Sequence, residues 1–141
     1  NGRLLNHFSE ELLDEYTDLV MLDVKHMTEK GYQYITGQKN KDTTFNFAKY
    51  RETSGKPMWL RYVLIPEITN KPELLHQMGE YFKDYKTIEK IEIQPYHKLG
   101  VHKWAALGWD YKLKDARENT PEEIDAAVEI LQQYFKEVRV N

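Results

Sequence analysis

The sequence predicts an α/β domain of about three parallel strands joined by crossover helices, half of a barrel or of an open sheet. Three observations predict it. Short apolar runs alternate with longer segments of helical character, the order expected when helices carry the chain back to start each parallel strand. The runs stop abruptly, one at Asp23-Val24-Lys25 and the others at Pro66 and Pro95. The chain has 141 residues, whereas a complete eight-stranded α/β barrel takes about 250.

Each element has a local reason. Ser9 reads as a helix cap, with Glu10 and Glu11 in the first turn, where the helix dipole favours acids. Leu12, Leu13 and Tyr16 supply that helix with an apolar face. The first strand is predicted over 18–25, apolar on both faces until Asp23. Residues 28–37 read as a short helix or loop. A full helix follows over about 42–53, with Phe45, Phe47, Ala48 and Tyr50 among its apolar residues, and Ser54-Gly55-Lys56-Pro57 breaks it.

The second strand runs from Met58 to Ile65. Asn70, Pro72 and Glu73 resemble a helix start, with Asn70 as the cap and the helix reaching about Tyr85. The charges from Lys83 to Lys90 read as a solvated helix end. Ile88 to Gln94 is the third strand. An irregular stretch over about 96–119 carries Trp104, Trp109 and Tyr111, which read as core or loop-packing aromatics or as a surface for a partner protein. Thr120-Pro121-Glu122-Glu123 is a clear capping box; it opens a last helix expected to end near Glu137.

Composition narrows the function classes. The net charge is −3, with no basic bulk to attract nucleic acid. No apolar run approaches the roughly 18 residues of a membrane span, and no export-type apolar region opens the sequence, so a cytoplasmic location is expected. Cysteine is absent. A disulfide framework, a catalytic thiol and a thiolate-held metal or iron–sulfur cluster are therefore excluded within this chain. The lack of an initiator Met and the turn chemistry of Asn1-Gly2 suggest a piece of a longer protein. A half-barrel would also expose strand edges for a missing half to cover.

Period-two alternation places Met21, Asp23 and Lys25 on one face of the first strand. It places Trp59, Arg61, Val63 and Ile65 together on the second, and Ile91, Ile93, Pro95 and His97 together on the third. Ligands of parallel α/β folds sit at the carboxyl ends of the strands. A Lys or Arg for an anion, an Asp for hydroxyls and an imidazole for a flat ring would suit a zwitterionic ligand with a ribose. Plainer readings stand beside this one. Asp23 and Lys25 can form a structural ion pair, Arg61 a core-edge salt bridge, and His97 a bond to a backbone carbonyl. His97 with His102 could also hold a metal ion.

The stretches DLVMLDVKHM, FNFAKY, WLRYVLIP, IEKIEIQPYHKLGVHKW and DYKL resemble the pyruvate formate-lyase activating enzymes. These are glycyl-radical-enzyme activases of the radical S-adenosylmethionine superfamily. The resemblance covers nearly the whole chain, in order and with similar spacing. It implies the C-terminal half of a partial (β/α)6 TIM-like barrel, a single domain over 1–141 that carries strands four to six, with Asn1-Gly2 at the turn after strand three. The family's CxxxCxxC loop for a [4Fe-4S] cluster and its Gly-Gly-Glu motif are not in this sequence.

The resemblance also implies roles. Asp23, Val24 and Lys25 match the segment that holds S-adenosylmethionine: Asp23 would accept from the ribose hydroxyls and Lys25 would pair with the methionine carboxylate. His97 would lie against the adenine. Arg61 would stand near the sulfonium as the catalytic residue. The Met21 carbonyl and the Asp23 carboxylate would help to hold a monovalent cation. The implied activity is that of an oxidoreductase of anaerobic metabolism. Reductive cleavage of S-adenosylmethionine yields a radical that takes hydrogen from a backbone glycine of pyruvate formate-lyase. Flavodoxin or ferredoxin would be the electron donor, and the chain alone would be inactive.

Two other readings compete. A Schiff-base aldolase would use Lys25 as its nucleophile, although Lys25 is expected beside a solvent-facing His26 with nothing to depress its pKa. A non-catalytic remnant would bind S-adenosylmethionine or a glycyl radical enzyme without activating it.

Overall fold

The structure, a computed structural model, describes residues 6–141. The Asn1-Gly2 turn lies outside the described residues. Strands β1 (Val20–Val24), β2 (Met58–Leu64), β3 (Ile88–Pro95) and β4 (Val138–Val140) form one sheet in the order β1-β2-β3-β4, with every pair parallel. Helices α1 (His7–Tyr16), α2 (Glu29–Thr36), α3 (Asp42–Ser54), α4 (Pro72–Phe82), α5 (Val101–Ala106) and α6 (Pro121–Leu131) occupy the intervening segments. The α/β class and crossover order match the sequence expectation.

The sheet has four strands, not three. The last helix stops at Leu131 rather than near Glu137, Phe135 turns into the core, and Val138 and Val140 pair with Ile91 and Ile93. Three residues are too few for alternation to stand out in the sequence. Two caps also differ. Asn6 caps α1, and Ser9 sits three residues on as its reciprocal partner. Asn70 does not cap α4, which begins after Lys71; instead its side chain accepts from Glu67 N and donates to Glu123.

The two faces of the sheet differ sharply. Leu22, Val24, Leu60, Tyr62, Ile91 and Ile93 point into the helix layer and are fully buried. There they meet Phe45, Ala48, Leu75, Met78, Phe82 and Leu131 in one core. The opposite face carries Met21, Asp23, Trp59, Arg61 and Val63, which, among the described residues, lie outside that core cluster. β2 therefore alternates between buried and half-buried residues along its whole length.

The last turn of α3 joins the amino ends of the strands. Arg51 is fully buried, and its guanidinium donates to the carbonyls of Thr17, Asp18 and Pro57 at 3.1, 2.9 and 3.4 Å. Glu52 accepts from the main-chain N–H groups of Lys86 and Thr87 at 2.9 and 3.0 Å, just before β3. Burial pushes the Glu52 carboxyl up, but a bond from the Thr87 hydroxyl, together with these two, outweighs it and holds the group below the usual carboxylate range.

The Thr120 capping box is present as read from the sequence. Thr120 Oγ1 accepts from Glu123 N at 3.3 Å, and the Glu123 carboxylate accepts from Thr120 N at 3.0 Å. Arg117 also grips Glu123 with two bonds of 2.7 and 2.8 Å, the leading reason its carboxyl is held down to about 2. Thr120→Ala will destabilise the domain by about 1 kcal/mol. The check is urea unfolding: a lower midpoint at unchanged slope is expected, and an unmoved midpoint would show that α6 does not need its cap.

Candidate functional site at the carboxyl ends of the strands

Parallel register sets Asp23 of β1 beside Arg61 of β2 on the open face. Arg61 Nε donates to Asp23 Oδ1 at 2.8 Å, and Lys25 Nζ stands 3.4 Å from Asp23 Oδ2. One carboxylate thus lies between two cations, and the three side chains are 24–31% exposed. The ion pairs expected of Asp23, Lys25 and Arg61 are present, and the three side chains meet at the strand ends. Partly solvated ion pairs are weak, so the cations can turn from Asp23 to an incoming anion at little cost. The cluster carries one net positive charge, which suits a carboxylate.

The row of charges continues across the sheet. Arg61 faces Glu92 of β3 in register, and Glu92 faces Arg139 of β4. Glu92 pairs with Lys90 at 2.6 Å, and the Lys90 ammonium lies 3.4 Å from the centre of the Trp59 ring. Lys90 and Glu92 are both buried, so Lys90 belongs to a strand interior and not to a solvated helix end. Sequence reading missed them because of an irregularity at Glu89. Met58 pairs with Ile88 but Trp59 pairs with Lys90, so Glu89 is an extra residue. The signal lies in Ile88, Ile91 and Ile93, spaced by three and then by two.

Other expected residues fall elsewhere. Val24 faces the core, so only its main chain can meet a ligand. Met21 shares the open face with Asp23 and is 51% exposed. His97 does not join the Asp23–Arg61 face through strand alternation. The face it was assigned to, that of Ile91 and Ile93, is the helix side, and β3 has ended at Pro95 before His97 is reached. His97 is exposed and lines an open cleft with Val63, Gln94 and Tyr96. His26 is not solvent-facing; it is 6% exposed.

The stretch over 96–119 contains the short helix α5. Trp104 lies 5.9 Å from Trp109 and 5.4 Å from Tyr111, ring centre to ring centre. Tyr96 anchors the stretch: its hydroxyl meets the Tyr111 hydroxyl at 3.0 Å and donates to the Leu113 carbonyl at 3.2 Å. The two tryptophans are exposed, so they pack within the loop and not in the core. Among the described residues no group of three or more His, Cys, Asp or Glu side chains is placed to hold a metal ion. No described helix is long and apolar enough to cross a membrane.

No protein-family model matches the chain. It is 41% identical over 129 residues to the pyruvate formate-lyase 1-activating enzyme of Escherichia coli strain K12, covering 92% of this chain and 52% of that protein. It is 39% identical over 121 residues to the pyruvate formate-lyase-activating enzyme of Streptococcus mutans, covering 86% of this chain and 46% of that protein. The chain spans about half the length of the curated relatives it matches.

Among solved structures, a domain of a pyruvate-formate lyase-activating enzyme from Bacteroides vulgatus superposes with a TM-score of 0.80 at 15% identity, over 99% of this chain and 77% of that one. Streptococcus suis SuiB bound to S-adenosylmethionine superposes with a TM-score of 0.71 at 14% identity, over 100% of this chain and 31% of that one. The architecture is thus the parallel α/β fold shared with these solved structures. By sequence, the chain is homologous to the pyruvate formate-lyase activating enzymes.

Proposed function

We propose that this chain is the C-terminal, cofactor-holding part of a pyruvate formate-lyase activating enzyme. The observation that carries this reading is the Lys25–Asp23–Arg61 cluster at the carboxyl ends of β1 and β2, in a homologue of those enzymes. The residues present fit S-adenosylmethionine. Lys25 is a compact cation for the methionine carboxylate, Asp23 has acceptor oxygens for ribose hydroxyls, and His97 offers a flat ring at the same end of the sheet. Arg61 keeps guanidinium N–H groups beyond the one on Asp23 and would hold charge near the sulfonium. Met21 and Asp23 share the face on which a monovalent cation would sit.

The residues present do not fit a [4Fe-4S] cluster, because the chain has no cysteine. The cluster, its electron donor (a flavodoxin or ferredoxin) and the first strands of the barrel belong, in this reading, to a preceding part of the protein. When bound, S-adenosylmethionine supplies the radical chemistry that ends in hydrogen abstraction from a glycine of pyruvate formate-lyase. The work of this chain is to bind, orient and neutralise. The exposed tryptophans near α5 are the proposed contact with that partner.

The test is a chimera in which this chain replaces the matching segment of the Escherichia coli activating enzyme. Reconstituted anaerobically and given a reductant and S-adenosylmethionine, it is expected to raise a glycyl-radical signal on pyruvate formate-lyase. Asp23→Ala and Arg61→Ala should each lower activation by about 100-fold, the loss of roughly 3 kcal/mol of positioning and charge stabilisation, with cluster absorbance unchanged. A folded, cluster-bearing chimera that raises no radical overturns the reading.

A further inference from the structure

We infer that Lys90 is a positioning residue: it holds Glu92 away from Arg61, so that the Arg61 guanidinium stays turned to Asp23 at the carboxyl ends of the strands. The inference rests on the role given to Arg61 above. Arg61 has an acid in register on either side, Asp23 of β1 and Glu92 of β3. Neighbouring strands lie about 4.8 Å apart, so a side chain as long as arginine can reach either one. Only one of the two acids is taken. Arg61 Nε donates to Asp23 Oδ1 at 2.8 Å, whereas Glu92 Oε1 accepts from Lys90 Nζ at 2.6 Å. Among the described residues no ion pair joins Arg61 to Glu92.

Lys90 is itself fixed. Its ammonium lies 3.4 Å from the centre of the Trp59 ring, a cation–π contact. The ring is held in turn, because Trp59 Nε1 donates to Glu89 Oε2 at 2.8 Å. The extra residue Glu89 makes this arrangement possible. Met58 pairs with Ile88, and an unbroken register would set Trp59 beside Glu89 and Arg61 beside Ile91. The shift by one residue brings Lys90 beside Trp59 and Glu92 beside Arg61 instead. One irregularity thus creates both the competing acid and the cation that occupies it.

Burial makes the choice sharp. Lys90 and Glu92 are both buried, and a buried carboxylate stripped of its cation is strongly disfavoured until it finds another. Two further cations stand in register with Glu92, namely Arg61 and Arg139. Arg139 Nε is already paired with Glu137, and its side chain is 63% exposed, where ion pairs are weak. The Arg61 side chain is 31% exposed, so Arg61 is the cation that a freed Glu92 takes. Removing the charge of Lys90 therefore draws the guanidinium off Asp23. Removing the charge of Glu92 leaves the Asp23–Arg61 bond as it is. An ion pair that serves stability alone gives no such asymmetry.

The test follows the Nε–H signal of Arg61 by NMR of the 15N-labelled chain. In the unsubstituted chain, Asp23→Asn should shift that signal and Glu92→Gln should leave it in place. Lys90→Met, and the milder Lys90→Gln, which keeps a donor for Glu92 but no charge, should each exchange the two responses. If the methionine protein does not fold, the glutamine protein decides. An Arg61 signal that still answers to Asp23→Asn alone overturns the proposal. So does an Arg139 Nε–H signal that becomes sensitive to Glu92→Gln in place of that of Arg61. In the chimera, Lys90→Gln should lower activation about tenfold, the size expected of coupled charges, and adding Glu92→Gln to it should restore activity. A double variant as impaired as the single one overturns the proposal. An unsubstituted chimera that raises no radical refutes the proposed function, while the Arg61 signal still decides the role of Lys90.

Discussion

Replacing Phe82 with alanine will cost the domain about 4 kcal/mol. The ring is 1% exposed and stands where α3 and α4 close over the sheet. Phe45 stacks on it at 5.9 Å, and Tyr81 and Tyr85 meet it edge-on at 4.8 and 5.2 Å. Truncation removes buried area and three aromatic contacts together, and neighbours held by their own helices cannot collapse into the space. Such a loss consumes much of the roughly 5–15 kcal/mol that holds a domain folded. Urea unfolding gives the value, and Phe82→Leu, which leaves a smaller void, should recover more than half of it. A loss under about 1 kcal/mol for the alanine variant would mean that the ring is not a core group.

Arg51→Met is expected to lower stability by about 3 kcal/mol. Methionine can refill the volume, and removing a buried charge is in itself favourable. Neither gain replaces the bonds to Thr17, Asp18 and Pro57, which fasten the entries of β1 and β2 to α3. Burial already pulls the guanidinium below its usual range, although it remains charged at any working pH. Arg51→Lys separates charge from geometry: an ammonium keeps the charge and three donors but cannot reproduce the spread of the guanidinium's Nε and Nη2, so an intermediate loss is expected. Equal stability of the lysine and arginine proteins would show that charge alone suffices there.

Much of the architecture was legible because parallel strands buried by helices read as apolar runs. β1, β2 and β3 announce themselves in this way, with Pro66 just past the end of β2 and Pro95 as the last residue of β3. β4 was not legible, since Val138-Arg139-Val140 acquires its identity only from Ile91 and Ile93 beside it. The Asp23–Arg61 pairing could be foreseen from period two on two strands of one parallel sheet. His97 was misplaced because alternation was carried past Pro95, where the chain no longer follows the pleat. Lys90 and Glu92 were hidden by the extra residue Glu89. Arg51 carried no local signal, because Thr17 and Asp18, whose carbonyls it binds, lie on another segment that only the fold brings near.

The all-parallel sheet has a kinetic consequence. No two neighbouring strands are joined by a hairpin, so no ladder can zip outward from a turn. Leu22 waits for Leu60, Leu60 for Ile91, and Ile91 for Val138. Each pairing closes a long loop whose entropy is spent before any strand contact repays it. Refolding from urea is therefore expected on the slow side for a domain of this size, in milliseconds to seconds. Until Val138 arrives from the far end of the chain, β3 presents a bare edge to whatever else is in solution.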